Sequence, residues 1–185
     1  MQRWFESHRF DARALPLANR RYNRQNVDSP QFVPPGSPIV LLTAKADALW
    51  VSLRQIAEFQ DHAWPGAWMN TLFRNESTEI ASTLIREAIA VTLGKWGEPP
   101  AAGMVTFVDT TKVREKSQPG NVYRIAGFKP VGFTKSRKLL VLQLLPADMP
   151  PPIFLPGSQL EFSDSTPTCA PALTPPQRPD GVAGS

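Results

Sequence analysis

A strand, a loop, a helix and a second strand follow one another over residues 67–108, and this order limits the possible folds more than any other feature of the sequence. Residues 67–73 alternate loosely between apolar and polar, and residues 82–96 carry apolar side chains at the spacing of one helix face. Gly97 and the pair Pro99-Pro100 end the helix, and the apolar run 104–108 follows. A helical crossover of this kind predicts that the two strands lie parallel as neighbours in one sheet.

Two further pairs of predicted strands flank this unit. Residues 39–43 and 49–53 form a candidate hairpin before it, and residues 131–134 and 139–145 form a second one after it. A helix is predicted from about Leu17, and a short helix ends at Ala126-Gly127-Phe128. The sequence therefore predicts an α/β fold in which a mixed, mostly antiparallel sheet with a central parallel pair is flanked by helices.

The prolines divide the chain into two parts. Eight of the 20 prolines lie in residues 151–185, where Ser, Thr and Gly are also frequent. Such a segment buries too little apolar surface to offset the entropy lost on ordering. We therefore expect one domain over residues 1–150 and a Pro-rich disordered tail over 151–185, in which residues 153–155 are candidates for local docking.

The net charge and the small numbers of cysteines and histidines limit the kinds of partner and site that the chain can have. Residues 1–150 hold 19 basic and 13 acidic side chains, a net charge of +6, which fits either a phosphate-rich partner or simple solubility. The single cysteine, Cys169, excludes an internal disulfide and a cysteine zinc site. His8 and His62 are the only histidines and show no metal-ligand spacing, so no metal site is predicted. We see neither a signal peptide nor an apolar membrane span and expect a cytoplasmic protein.

The segment from Tyr123 to Phe128, with sequence YRIAGF, resembles the Tyr-x-x-x-Gly-Phe signature at the last helix of GNAT acyltransferases. The resemblance implies that Tyr123 protonates the coenzyme A thiolate as it leaves. A phenol is a suitable general acid for such a leaving group. The alternative interpretation is a glycine that ends the helix beside a packed tyrosine.

The same resemblance places the cofactor loop between the strand at 67–73 and the helix at 82–96. In the family this loop carries glycines whose backbone amides, together with the helix N-terminus, bind a diphosphate. Here the corresponding positions are Glu76, Glu79 and Ala81, of which Ala81 alone fits. The two acids also suit the positive end of the helix dipole. The candidates for binding acetyl-CoA or another acyl donor are Ser77, Ala81, Ser82 and Thr83.

Read together, the segments over about residues 12–145 resemble Mom-like phage DNA-modification proteins, a divergent GNAT branch with a degenerate cofactor loop. This resemblance implies that the central parallel pair splays apart. It also implies active-site roles for Arg74, after the first of these strands, and Asp109, at the end of the second. Arg74 would hold a phosphate or carboxylate, and Asp109 would orient or deprotonate an amine. The alternatives are an ion pair of Arg74 with Glu76 or Asp109, and a salt bridge or helix cap at Asp109.

Basic residues are concentrated after the second parallel strand. Residues 112–138 hold eight basic side chains against one acid. Lys112, Arg114 and Lys116 are the candidates for tracking a nucleic-acid backbone, and Trp68 is a candidate for stacking on a flipped base. The alternatives are a solvated loop and a core tryptophan.

Three functional hypotheses follow. The first is an acyltransferase-like enzyme that modifies a nucleobase amine in phage DNA within a bacterial host, with DNA and an acyl donor as partners. The second is an N-acetyltransferase acting on a small free amine. The third is a catalytically inactive GNAT-like scaffold that binds nucleic acid or protein. The sequence predicts no oligomeric state.

Overall fold

A computed structural model gives the structure of residues 2–20, 29–55, 63–112 and 118–156. The strands are β1 Trp4–Ser7, β2 Ser37–Thr43, β3 Ala48–Arg54, β4 Trp68–Asn75, β5 Met104–Val108, β6 Lys129–Phe133 and β7 Leu140–Leu144. The helices are α1 Leu15–Asn19, α2 Ala81–Trp96 and α3 Asn121–Ile125, and Thr110–Lys112 and Pro146–Asp148 form single 3-10 turns. No helix in these ranges is long and apolar enough to cross a membrane.

The seven strands form one sheet in the order β1-β2-β3-β4-β5-β7-β6. Neighbouring strands are antiparallel except for β4 and β5, which are parallel and are connected by α2. This confirms the predicted mixed, mostly antiparallel sheet flanked by helices, and it is the arrangement that the resemblance to GNAT acyltransferases implied.

The central parallel pair is joined over only part of its length. Pairing runs from Trp68 opposite Met104 to Asn70 opposite Thr106, whereas β4 continues to Asn75. On the other side of β4, the register against β3 shifts by one residue next to Asn70. An extra residue in a strand bends it locally and strengthens its twist. The two parallel strands therefore separate beyond Asn70, as the predicted splay requires.

The sheet is covered on both faces. Helix α2 buries the apolar face that its spacing predicted, including Leu84, Ile85 and Ile89, against Trp4 and Trp50 of the sheet. Fully burying one such side chain contributes roughly 1.5–3 kcal/mol. The opposite face is covered by a second apolar group, which contains Leu17, Ala18, Phe32 and Val33. Both apolar groups include side chains of the sheet strands, so the sheet is the common support of the two layers.

Strand β1 was not expected from the sequence. Trp4 is almost completely buried, and its indole N–H donates a hydrogen bond of 3.0 Å to the carbonyl oxygen of Leu84 in α2. The strand is four residues long and lies at the edge of the sheet. Such a short segment shows too few positions for a period of two to be recognised.

The start of the Pro-rich segment lies against α2. The Ile153 N–H donates to the carbonyl oxygen of Ala90 at 2.8 Å, and Leu155 is 8% exposed within the apolar group under α2. The local docking expected for residues 153–155 is therefore observed for the backbone of Ile153 and the side chain of Leu155, whereas the Phe154 side chain is exposed. Residues 157–185 lie outside the described ranges, and the division of the chain at residue 150 stays a prediction.

Candidate functional site

Tyr123 lies on the short helix α3, which follows β5 and precedes β6. The helix ends where Gly127 adopts a φ of 109°, a value that favours glycine, and the Phe128 N–H then bonds to the carbonyl oxygen of Tyr123 at 3.0 Å. The Tyr123 ring packs edge-on against Phe73 of β4 and against Phe128, with ring centroids 6.2 Å and 5.5 Å apart. Tyr123 is therefore packed beside the glycine that ends the helix, as the alternative interpretation predicted. The same ring contacts place its hydroxyl next to the point where β4 and β5 separate.

The hydroxyl of Tyr123 donates a hydrogen bond of 2.7 Å to Oδ1 of Asn70, the last residue of β4 that pairs with β5. Asn70 is only 3% exposed. Its Nδ2 donates to the carbonyl oxygens of Val51 and Leu72, and the Thr106 hydroxyl is 3.2 Å from Oδ1. Sequence reasoning missed Asn70. An asparagine inside an apolar strand segment was the available signal, because asparagine is depleted in strands.

The loop between β4 and α2 is closed by its own side chains. Asn75 Oδ1 accepts hydrogen bonds from the backbone N–H and the hydroxyl of Ser77, at 3.0 Å and 2.6 Å. The Glu79 N–H donates to Ser77 Oγ at 3.1 Å, and Asn75 Nδ2 donates to the Glu79 carbonyl. The amides that would face a diphosphate in a glycine-rich loop are therefore occupied at Ser77 and Glu79.

Helix α2 begins at the other predicted donor-binding residues. Ile80 precedes it in an extended conformation and makes no side-chain cap. Ala81 and Ser82 are half-buried and Thr83 is exposed. The Leu84 N–H already donates to the Ile80 carbonyl oxygen at 3.1 Å. Backbone N–H groups that bind a ligand in this turn would therefore have to come from residues 81–83.

Two acids of this loop are paired with arginines. Glu76 accepts from Arg20 through both carboxylate oxygens, at 2.8 Å and 2.7 Å, and from Arg74 Nε at 3.0 Å. The Arg20 guanidinium first, and Arg74 second, hold the pKa of Glu76 below its usual range. Arg3 pairs with Glu79 and also with the helix residue Glu87. The alternative expected for Arg74, an ion pair with Glu76, is confirmed.

Asp109 follows β5 and caps the 3-10 turn after it. Its Oδ1 accepts from the Thr111 hydroxyl at 2.6 Å and from the Thr111 N–H at 3.0 Å. These hydrogen bonds lower the pKa of Asp109 below its usual range. A carboxylate with a lowered pKa is a weaker base. The predicted capping role of Asp109 is confirmed. Its role toward an amine substrate stays a prediction, and the lowered pKa favours orienting the amine over removing a proton from it.

Trp68 does not present a ring face to a ligand, which corrects its predicted role in stacking on a base. The side chain is 3% exposed and packs edge-on against Trp96 with a centroid distance of 5.1 Å. The guanidinium of Arg54 covers both rings. Trp68 is buried because it belongs to the apolar group that packs the sheet against α2.

The predicted nucleic-acid contacts are only partly described. Lys112 is exposed, whereas Arg114 and Lys116 lie outside the described residues. In the turn between β6 and β7, the basic side chains of Lys135, Arg137 and Lys138 are all exposed. Phe133, 59% exposed, directly precedes this turn. No group of His, Cys, Asp and Glu in the described ranges is arranged to hold a metal ion.

No protein-family model matches the sequence, and a comparison with curated proteins gives no match. Among solved structures, the chain is similar to the crystal structure of aminoglycoside acetyltransferase AAC(6')-Ib in complex with coenzyme A. The TM-score is 0.43 and the identity 14%, over 60% of this chain and 66% of that chain, slightly less than two thirds of its length.

Proposed function

We propose that the chain is an acyltransferase that transfers an acyl group from a coenzyme A thioester to an amine. The observation that carries the proposal is the Tyr123 hydroxyl, which contacts Asn70 at the point where the parallel strands β4 and β5 separate. Ligands in sheets of this kind bind beyond the carboxyl ends of the parallel strands, where the chain connections diverge.

In this reaction the amine nitrogen attacks the carbonyl carbon of the thioester, and the carbon–sulfur bond breaks. Tyr123 gives its hydroxyl proton to the departing thiolate, and the nitrogen loses a proton to water. Solvent then restores the proton of Tyr123. Asp109, whose carboxylate is already held by Thr111, orients the amine rather than deprotonating it.

The donor is held near the start of α2. Ser77, Ala81, Ser82 and Thr83 line the loop and the first turn, where a helix N-terminus favours an anion. Arg74 contributes a guanidinium that can bind phosphate through two hydrogen bonds. Because Glu76 occupies Arg74 in the structure, a donor phosphate has to displace or share this carboxylate.

Glu76→Gln is therefore expected to lower KM for an acyl-CoA about three- to tenfold, while kcat changes less than about twofold. The substitution removes one negative charge near the donor phosphates, and two charges a few ångströms apart in water interact by about 1 kcal/mol. Steady-state kinetics measure both constants. Glu98→Gln, an exposed acid beyond the other end of α2, is the control and should leave KM unchanged. A raised KM for Glu76→Gln would show instead that Glu76 positions the arginines for donor binding.

We further propose a nucleobase amine in DNA as the acceptor. Two observations support this acceptor. The cationic side chains of Lys112, and of Lys135, Arg137 and Lys138 in the turn between β6 and β7, are exposed. The ring of Phe133, which directly precedes that turn in the chain, is exposed as well. Cations bind the phosphate backbone, and an exposed aromatic ring can stack on an unpaired base. Arg114 and Lys116 remain part of this proposal on the sequence alone.

Replacing Lys135, Arg137 and Lys138 together with alanine is expected to weaken binding to duplex DNA. The slope of log affinity against log salt concentration should become shallower by about 3, because each lost phosphate contact removes about 0.9 from the slope. Fluorescence anisotropy over a salt series measures the slope. Lys45→Ala, in the turn between β2 and β3, is the control. An unchanged slope would exclude this turn from the interface.

The complete function is tested by mass spectrometry of nucleosides from DNA of cells that express the chain. An acylated base that disappears with Tyr123→Phe supports the proposal. An unchanged nucleoside profile with transfer to small amines would favour the small-molecule acetyltransferase. Salt-sensitive DNA binding without binding of any acyl-CoA would favour the inactive scaffold, an alternative that the self-bonded loop at Ser77 and Glu79 supports.

A further inference from the structure

The buried amide of Asn70 has no part in the reaction steps above. Burying an amide is costly unless its hydrogen bonds are made, so an asparagine in the middle of a sheet requires an explanation. Here both ends of the amide have partners: Nδ2 donates at 3.1 Å and 2.9 Å to two backbone carbonyls, and Oδ1 accepts from two hydroxyls. The residue is thus built into the sheet at the place where the parallel strands part.

The two backbone carbonyls determine which way the amide points. The carbonyl oxygens of Val51 and Leu72 accept only, so the NH2 group must face them and Oδ1 must face Tyr123. Oδ1 is likewise an acceptor only. The neutral phenol of Tyr123 suits it, whereas a phenolate oxygen 2.7 Å away would leave two acceptors facing each other with no proton between them.

We propose that Asn70 is the positioning residue for Tyr123, and that it holds the phenol in its protonated form at the opening between β4 and β5. The inference rests on the proposed acyl transfer. A hydrogen bond between neutral groups contributes about 1 kcal/mol net, whereas bonds to an ionised acceptor are stronger. The hydroxyl therefore turns from Asn70 to the thiolate when negative charge develops on sulfur.

Thr106 makes this exchange possible without leaving a buried acceptor unpaired. Its hydroxyl is 3.3 Å from the backbone oxygen of Asn70 and 3.2 Å from Oδ1, so it is shared between the two. When Tyr123 turns away, Thr106 still donates to Oδ1. An unpaired buried oxygen would otherwise oppose the movement.

A double-mutant cycle on acyl transfer tests the proposal. Asn70→Ser is expected to lower kcat about tenfold, with KM for the acyl-CoA within about twofold of wild type, and to lower kcat less than about twofold further in a Tyr123→Phe background. An equal loss in both backgrounds would mean that Asn70 acts only through the fold and would overturn the proposal. Thr106→Val, which leaves the Asn70 amide in place, should show a smaller loss with the same dependence on Tyr123 and serves if Asn70→Ser does not fold.

The matched control removes a buried hydrogen bond elsewhere in the sheet. Ser52 is completely buried, and its hydroxyl contacts the Trp50 indole and the Thr92 hydroxyl, both at 2.8 Å. Ser52→Ala is expected to reduce stability to denaturant. Any effect of it on kcat should be the same with Tyr123 and with Phe at position 123.

A second readout does not depend on activity. The chain contains two tyrosines, so Tyr22→Phe leaves a single tyrosine Cζ resonance in a protein labelled with 13C at that carbon. We expect this resonance to move in Asn70→Ser and to stay in place in Ser52→Ala. An unmoved resonance in Asn70→Ser overturns the positioning role. If the resonance moves but no acyl-CoA serves as a donor, the Asn70–Tyr123 contact is supported and only the proposed acyl transfer is rejected.

Discussion

Tyr123→Phe is expected to lower kcat for acyl transfer at least about 100-fold while the protein stays folded, because general acid catalysis typically contributes 10²–10⁴-fold. The phenylalanine ring keeps the edge-on contacts with Phe73 and Phe128, and only the hydroxyl is lost. Asn70 Oδ1 retains the hydrogen bond from Thr106. Kinetics with one acyl-CoA and one amine, together with a denaturant melt, separate loss of chemistry from loss of folding.

The leaving group provides the sharper comparison for this variant. A thioester of a more acidic thiol needs less protonation as it departs, so the defect of Tyr123→Phe should shrink with such a donor. Tyr22→Phe, the same substitution at the other tyrosine, should keep the wild-type kcat. Wild-type kcat in Tyr123→Phe, or a defect independent of the thiol, would contradict the general-acid assignment.

Gly103→Ala is expected to reduce the free energy of unfolding by about 3 kcal/mol or more. Gly103 has a φ of 62°, where a side chain costs roughly 1–2 kcal/mol, and an added Cβ would overlap the carbonyl oxygen of Leu144 in β7. The Gly103 carbonyl oxygen also accepts the Trp68 N–H at 2.9 Å, so moving this backbone disturbs β4, β5 and β7 together. Urea unfolding with an unchanged slope measures the loss.

Gly66→Ala is the matched control for this prediction. Its φ of 75° is similar, but an added Cβ would meet no atom of the described residues within 4 Å. It should therefore show only the cost of the left-handed backbone, roughly 1–2 kcal/mol. Equal losses in the two variants would mean that backbone conformation, and not the approach of β7, makes Gly103 necessary.

Local patterns predicted most of the fold. Helix α2 was predicted because its apolar residues recur with the helical period, and the parallel pairing of β4 with β5 followed from the helix that connects them. Edge strand β1 was not predicted, because it has four residues and depends on a single buried tryptophan, Trp4. Its formation depends on the sheet and on α2, which the local sequence does not show.

The candidate site was predicted less completely. Tyr123 was identified from a motif, and its position beside the opening between β4 and β5 follows from α3. Trp68 was a candidate for stacking on a base, with a core position as the alternative, and the structure shows the core position. An aromatic residue in a strand can face either the core or solvent, and the local sequence does not settle which. Asn70 was missed, because its partners Val51, Thr106 and Tyr123 come from three other segments, β3, β5 and α3.

Apart from the edge strand β1, the sequence by itself determined the order of strands and helices, because each of these elements depends on residues close together in the chain. It also determined the crossover through α2 and the presence of a tyrosine before a Gly-Phe turn. The tertiary structure alone decided that the strands part after Asn70, that Asn70 accepts the hydroxyl of Tyr123 across 53 positions, and that Glu76 is paired with Arg20 across 56. Such contacts are set by the packing of the whole sheet, in which a shift of register by one residue redirects every following side chain.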